Sequence, residues 1–340
     1  MAVRTVPGIR PILMSVLVAA VAGCATAPAP EAAPEAAPEQ QVSTTVAEPT
    51  PTFVDPARVA ANELGAVPIL MYHQVSANPA GEYDQTPEEF RAELDQLYRE
   101  GYRPVTAADY ISGRIDIPAG THPVVLTFDD STVSQFAFTP DGRPTPECAI
   151  GILEEFGASR PDFGPTATLY VNDDPFTLGA PALTWLAAHG YEIGAHTAGH
   201  AALARLDGDG VQRELAENVR AIEVSGVRVR TMALPFGLAP ADRSLARQGS
   251  WAGTSYSFEA VMLVGAGPAP SPFGPVDPIA VPRIRSGRGE VDFDSAYWLD
   301  RLAETPERRY TSDGDPARIS FPAARAGELA AQWASRATPY

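Results

Sequence analysis

The chain has 340 residues, 45% of them hydrophobic, enough for one large domain or two smaller ones. Its formal net charge of −17 argues against nucleic acid as a partner, because that recognition needs a basic surface. A polyanionic substrate stays open, since the charge of a whole chain says little about one cleft.

The N-terminus reads as targeting rather than fold. Arg4 and Arg10 precede the apolar run "PILMSVLVAAVAGC", which is too short to span a bilayer comfortably and has the form of a signal peptide over residues 1–23. The run closes on Val21-Ala22-Gly23-Cys24, which matches the bacterial lipobox. Cys24 is therefore expected to carry acyl chains that anchor the protein to a membrane. Residues 24–58, rich in Pro, Ala and Glu, hold too little apolar surface to offset their ordering entropy and read as a tether. Cys148 is then the one cysteine of the folded part, so no intrachain disulfide is expected.

From about Val67 onward, short apolar runs alternate with helical patterns. Strands are predicted at 67–72, 123–128, 166–171, 191–195, 230–234, 259–264 and 279–284. The clearest helix is "TPEEFRAELDQLYREG", with Thr86 as N-cap, Pro87 at the first helical position and Glu89 completing a capping box. "DGVQRELAENVRAIEVSG" repeats the pattern, and "ECAIGILEEFG" and "ALTWLAAHG" are shorter candidates. This alternation predicts an α/β fold with a parallel sheet, and seven units suggest a (β/α) barrel; a doubly wound open sheet fits almost as well. In both, active groups belong at the carboxyl ends of the strands. The domain is expected over 59–305, with 306–340 a polar C-terminal extension.

Two strand ends carry unusual chemistry. "PVVLTFDDST" ends a buried-looking strand on Asp129-Asp130, and burying either acid costs several kcal/mol unless a metal, a base or a helix cap pairs with it. "YEIGAHTAGH" ends another strand with His196 and His200 four residues apart, which puts both imidazoles on one face if the segment turns helically. Alone, a His-x₃-His pair is weak evidence for a metal. Beside the Asp pair on one rim, two imidazoles and a carboxylate make three ligands and leave positions open for water. The second acid is then available as general base. A third strand end, "MALPFG", presents the Pro235-Phe236-Gly237 turn, whose backbone N–H can stabilise an oxyanion.

"TFDDS", "HTAGH" and "LPFG", in that order on strand ends, resemble the polysaccharide deacetylase family (NodB homology, carbohydrate esterase family 4). "PILMYHQV" resembles the first strand of its branch containing poly-N-acetylglucosamine deacetylases, and the likeness covers roughly 67–285. The resemblance implies a distorted (β/α) barrel of about seven parallel strands. It also implies Asp129 as catalytic base, Asp130, His196 and His200 as ligands of a divalent metal, usually Zn2+, and the Phe236 backbone as oxyanion contributor. The implied partner is an acetylated glycan, peptidoglycan or an amino-sugar polymer, losing N-acetyl or less often O-acetyl groups.

Three departures stand out. Ser131 replaces the usual glycine after the Asp pair, and the insertion "TVSQFAFTPDGRPTPE" follows, either lining the cleft or forming a solvated loop. Ala233 stands where the family has an arginine that orients the base; Arg283, at the end of the last strand, is expected to replace it by pairing with Asp129. No histidine follows His200, so the late Leu-x-His motif of the general acid is absent, and His73 at the first strand end is the expected substitute. His122 and His189 read as structural. Trp185, Trp251, Tyr256 and Trp298 are candidate sugar-stacking groups that read more readily as core. The contrasting reading is a catalytically silent glycan-binding protein of the same fold.

Overall fold

The computed structural model describes residues 54–265, 267–287, 289 and 291–340. The leader, Cys24 and most of the tether lie outside the described residues. Among the described residues, no helix is long and apolar enough to cross a membrane.

In chain order the elements are β1 (Ile69–Tyr72), α1 (Pro87–Arg99), β2 (Tyr102–Pro104), α2 (Ala107–Ile111), β3 (His122–Phe128), α3 (Ala149–Ser159), β4 (Thr168–Val171), α4 (Ala180–Ala188), β5 (Glu192–Ala195), α5 (Gly208–Glu223), β6 (Thr231–Ala233), β7 (Gln248–Trp251), β8 (Thr254–Ser257), β9 (Ala260–Met262), β10 (Ile284–Arg285), α6 (Ser295–Glu304), β11 (Ile319–Phe321) and β12 (Ala337–Pro339). Seven strands pair in the order β10-β1-β3-β4-β5-β6-β9, all parallel, with β2 added along the first half of β3. The last segment is bonded on both sides: Val281 bridges to Met262 of β9, and Ile284 pairs with Leu70 of β1. The path therefore curls into the expected distorted barrel. Its seventh strand is shorter than predicted, because Pro282 has no N–H to give the ladder between those two contacts.

The strands at the centre of the barrel are buried on both faces, so they read as continuous apolar runs; every residue of β1, β3 and β4 is buried. The helices cover them with one apolar stripe each. In α1 the capping box of Thr86 and Glu89 is formed, and Phe90, Leu94 and Leu97 face inward. In α5 Asp207 caps the start, and Val211, Leu215, Val219 and Ile222 form the stripe.

Residues 306–340 do not hang free of this core. Tyr310, Ile319 and Phe321 are buried in a cluster with Val67, Ile69 and Phe273, and β11 pairs with β12. Their apolar residues are spaced singly among polar ones, which hides the packing from composition. Glu63 ties the segment down: its carboxylate accepts from the Ser320 N–H (2.8 Å) and the Tyr310 hydroxyl (3.2 Å). Burial, with Asp313 nearby, pushes the Glu63 carboxyl up to about 8 from an ordinary 4.5. Folding then binds a proton between those two values, so the fold loses stability as pH rises from about 4.5 to about 8. Glu63→Gln is expected to flatten that slope, measured as the difference in Tm between pH 5 and pH 8; an unchanged difference would contradict it.

Candidate metal centre and catalytic site

Four strand ends supply the site. Asp129 and Asp130 follow β3, His73 follows β1, His196 and His200 follow β5, and Phe236 lies just past β6. Several of these residues have left-handed backbone: Asp130 (φ 76°), Ser131 (φ 48°), His200 (φ 54°) and Phe236 (φ 57°). Non-glycine residues rarely adopt this region, and it concentrates where side chains must be aimed against local preference. Ser131 occupies a conformation that suits glycine.

Asp130 Oδ1 is 3.3 Å from His196 Nε2 and 3.2 Å from His200 Nε2. Oδ1 is buried and has no hydrogen-bond partner among the described residues. His196 Nδ1 lies 2.9 Å from the Ala233 carbonyl oxygen, so Nδ1 carries a proton there and Nε2 is the ring nitrogen that faces the carboxylate. Three lone-pair donors thus converge, their ligating atoms within 4.8 Å of one another. Such a set repels itself unless a proton or a cation lies between its members. One carboxylate and two imidazoles suit zinc, and the orphaned oxygen fits a cation better than a structural cap. Asp130 is held well below the usual carboxylate range: burial opposes ionisation, but the contacts with His196 and His200 outweigh it. The same contact with Asp130 raises His200.

The ladder continues behind the cluster. Asn218 accepts from the His196 N–H (3.1 Å), and the Asn172 carboxamide donates to the carbonyls of His196 (2.7 Å) and Thr197 (2.9 Å). These two asparagines were not singled out in the sequence. Their only signal is a polar residue directly after an apolar strand, or on the buried stripe of a helix.

Asp129 is almost fully buried and faces Arg283, also fully buried, in a two-bonded fork at 2.7 Å for each oxygen. Arg283 donates further to the Thr127 hydroxyl (3.0 Å) and the Leu263 carbonyl (2.7 Å), and lies over the Tyr170 ring. Burial would raise the Asp129 carboxyl, but Arg283, with His196 and His73, holds it below its ordinary value. The pairing expected from the vacant arginine position is thus present in the fold.

His73 is largely shielded, its ring against Tyr83 at 4.9 Å between centroids. Its Nδ1 has no hydrogen-bond partner among the described residues. Burial lowers its pKa against the opposing pull of Asp129 and Asp130. Phe236 is 61% exposed, and its ring lies edge-on to that of His200 with 4.6 Å between centroids.

His122 and His189 stand apart from this group. His122 bonds the Tyr310 carbonyl (2.8 Å), and burial lowers it to about 4; His189 stacks on Trp185. Trp185 stacks on His189 and packs against Phe136, and Tyr256 is buried. Trp251 and Trp298 pack against the core. The aromatic ring that the site exposes is Phe236.

The insertion after Ser131 is not a solvated loop throughout. Gln135 and Phe136 are fully buried, Phe136 against Phe176 and Trp185.

Residues 116–250 match the family model described as polysaccharide deacetylase. No curated protein matches the chain. Among solved structures, the chain resembles the Streptococcus pyogenes deacetylase PplD in complex with acetate, with 18% identity over 69% of this chain and 97% of that one and a TM-score of 0.52. A polysaccharide deacetylase from Bacillus cereus shares 19% identity over 71% and 68%, TM-score 0.51. IcaB from Ammonifex degensii shares 20% over 70% and 96%, TM-score 0.50. These likenesses cover more of the chain than the residues matched by the family model. Residues 116–250 thus resemble the polysaccharide deacetylase family in sequence, and the barrel around them has the fold of these three solved structures.

Proposed function

We propose that this protein is a metal-dependent deacetylase of an acetylated glycan, peptidoglycan or an amino-sugar polymer, anchored by lipid at Cys24 to the bacterial envelope and facing away from the cytoplasm. The observation that carries the reading is one rim holding both a three-donor cluster and, beside it, a buried carboxylate kept ionised by an arginine fork. A glycan-binding protein has no use for a base so protected.

Asp130, His196 and His200 would hold the divalent ion, with zinc favoured by the donor set. When bound, it would supply Lewis-acid polarisation of the acetyl carbonyl and acidify the attacking water. Asp129 takes that water's proton; Arg283 keeps it ionised and fixes its plane. The Phe236 N–H, on its left-handed backbone, stabilises the oxyanion that develops on the acetyl group. His73, half-buried on the same rim, gives the proton to the departing amine or alcohol.

The test is acetate release from a panel of N-acetylated and O-acetylated glycans, with the same glycans stripped of acetyl groups as controls. Release from one class identifies the substrate. Glycan binding without release from any member would overturn the reading in favour of a binding protein.

A further inference from the structure

Gln135 lies in the insertion and is fully buried. Its side-chain Nε2 donates to two backbone carbonyls at once, that of His73 (2.6 Å) and that of Asp129. These two carbonyls belong together. Tyr72 of β1 pairs in register with Phe128 of β3, so His73 and Asp129 form the next rung, just past the ends of both strands. The last backbone bond between the strands runs from the Asp129 N–H to the Tyr72 carbonyl (3.0 Å). Beyond it the chains part, because Asp130 and Ser131 turn left-handed. Two buried carbonyls are then left to be satisfied by something other than the ladder.

We propose that Gln135 is a positioning residue that closes this rung and so fixes the separation of His73 and Asp129, the acid and base of the reaction proposed above. The inference rests on that reading for its catalytic consequence, though not for its geometry. The segment carrying Gln135 is itself anchored: the Ser134 and Gln135 carbonyls accept from the N–H groups of Ala149 and Ile150 at the start of α3, at 3.0 Å each. Phe136 is packed against Phe138, Phe176 and Trp185. A carboxamide on so firm a mount sets a distance, where a loop residue would follow one. The two N–H bonds on the glutamine nitrogen can serve both carbonyls, whereas an ionised glutamate in its place has no donor to offer.

The experiment compares Gln135→Met, which keeps the volume and loses both donors, with Gln135→Glu, which keeps the shape and turns acceptors toward the carbonyls. Each is made in the full chain, alone and with His73→Gln. For both single variants kcat for acetate release should fall at least about tenfold, with KM within about twofold and zinc still bound at one equivalent. In the His73→Gln background the loss should shrink to under about threefold, because no acid is left to align. A crystal structure of Gln135→Met should show the His73 and Asp129 strand ends further apart than in the wild type. Unchanged kcat, or a loss that simply adds to that of His73→Gln, would overturn the proposal. If the wild type releases no acetate, the deacetylase reading fails by itself. The crystal structure then decides the clamp, and strand ends unmoved in Gln135→Met would overturn it.

Discussion

Replacing Arg283 with methionine is expected to cost about 3–5 kcal/mol of stability and at least about a hundredfold in acetate release at neutral pH. Both effects follow from one geometry. Asp129 and Arg283 are each wholly enclosed, and the fork supplies a bond to each carboxylate oxygen. Methionine fills a similar volume but leaves Asp129 as a buried acid with no countercharge. That acid answers by holding its proton, which removes the base. Arg283→Lys keeps the charge without the planar fork and should recover part of the stability and less of the activity. Thermal unfolding read beside acetate release checks both; a methionine variant with wild-type Tm and turnover would contradict the pairing's role.

Asp129→Asn is the second large effect. The amide keeps the size of the carboxylate and can still accept from Arg283, but it takes no proton. Acetate release should fall about 10²–10⁴-fold, the range for loss of a general base. Zinc binding should persist, because Asp130, His196 and His200 are untouched. The opposite pattern, zinc lost and turnover kept, would exchange the roles given to Asp129 and Asp130. A double variant of Asp129→Asn with Arg283→Met should be little worse than Asp129→Asn alone in turnover, since the role proposed for Arg283 runs through its fork on Asp129.

Much of this arrangement was legible in the residues. Strands buried on both faces must be continuously apolar, so runs such as "PVVLTF" stood out, and polar groups at their ends stood out more. Scarcity helped too: with five histidines in the chain, a pair four apart after a strand is conspicuous. Arg283 could be expected at Asp129 because parallel strands bring their carboxyl ends to one rim whatever their separation in sequence.

What escaped was of two kinds. Gln135, Asn172 and Asn218 act through backbone carbonyls and N–H groups, and a glutamine inside "TVSQFAFTPDG" reads as loop until the ladder it completes is in view. The C-terminal segment escaped for a different reason. Ile319 and Phe321 stand two apart on the three-residue β11, too short a run to display a period, and Tyr310 lies by itself outside the helices and strands.

The central claim is that hydrolysis depends on one ion joining Asp130, His196 and His200. It is tested most directly by titrating the metal-free full chain with zinc while following acetate release from an acetylated amino-sugar oligomer. The rate should rise from background to a plateau at one zinc per chain, with no rise in His200→Ala. A rate independent of zinc, or zinc bound at one equivalent with no acetate released, would contradict it.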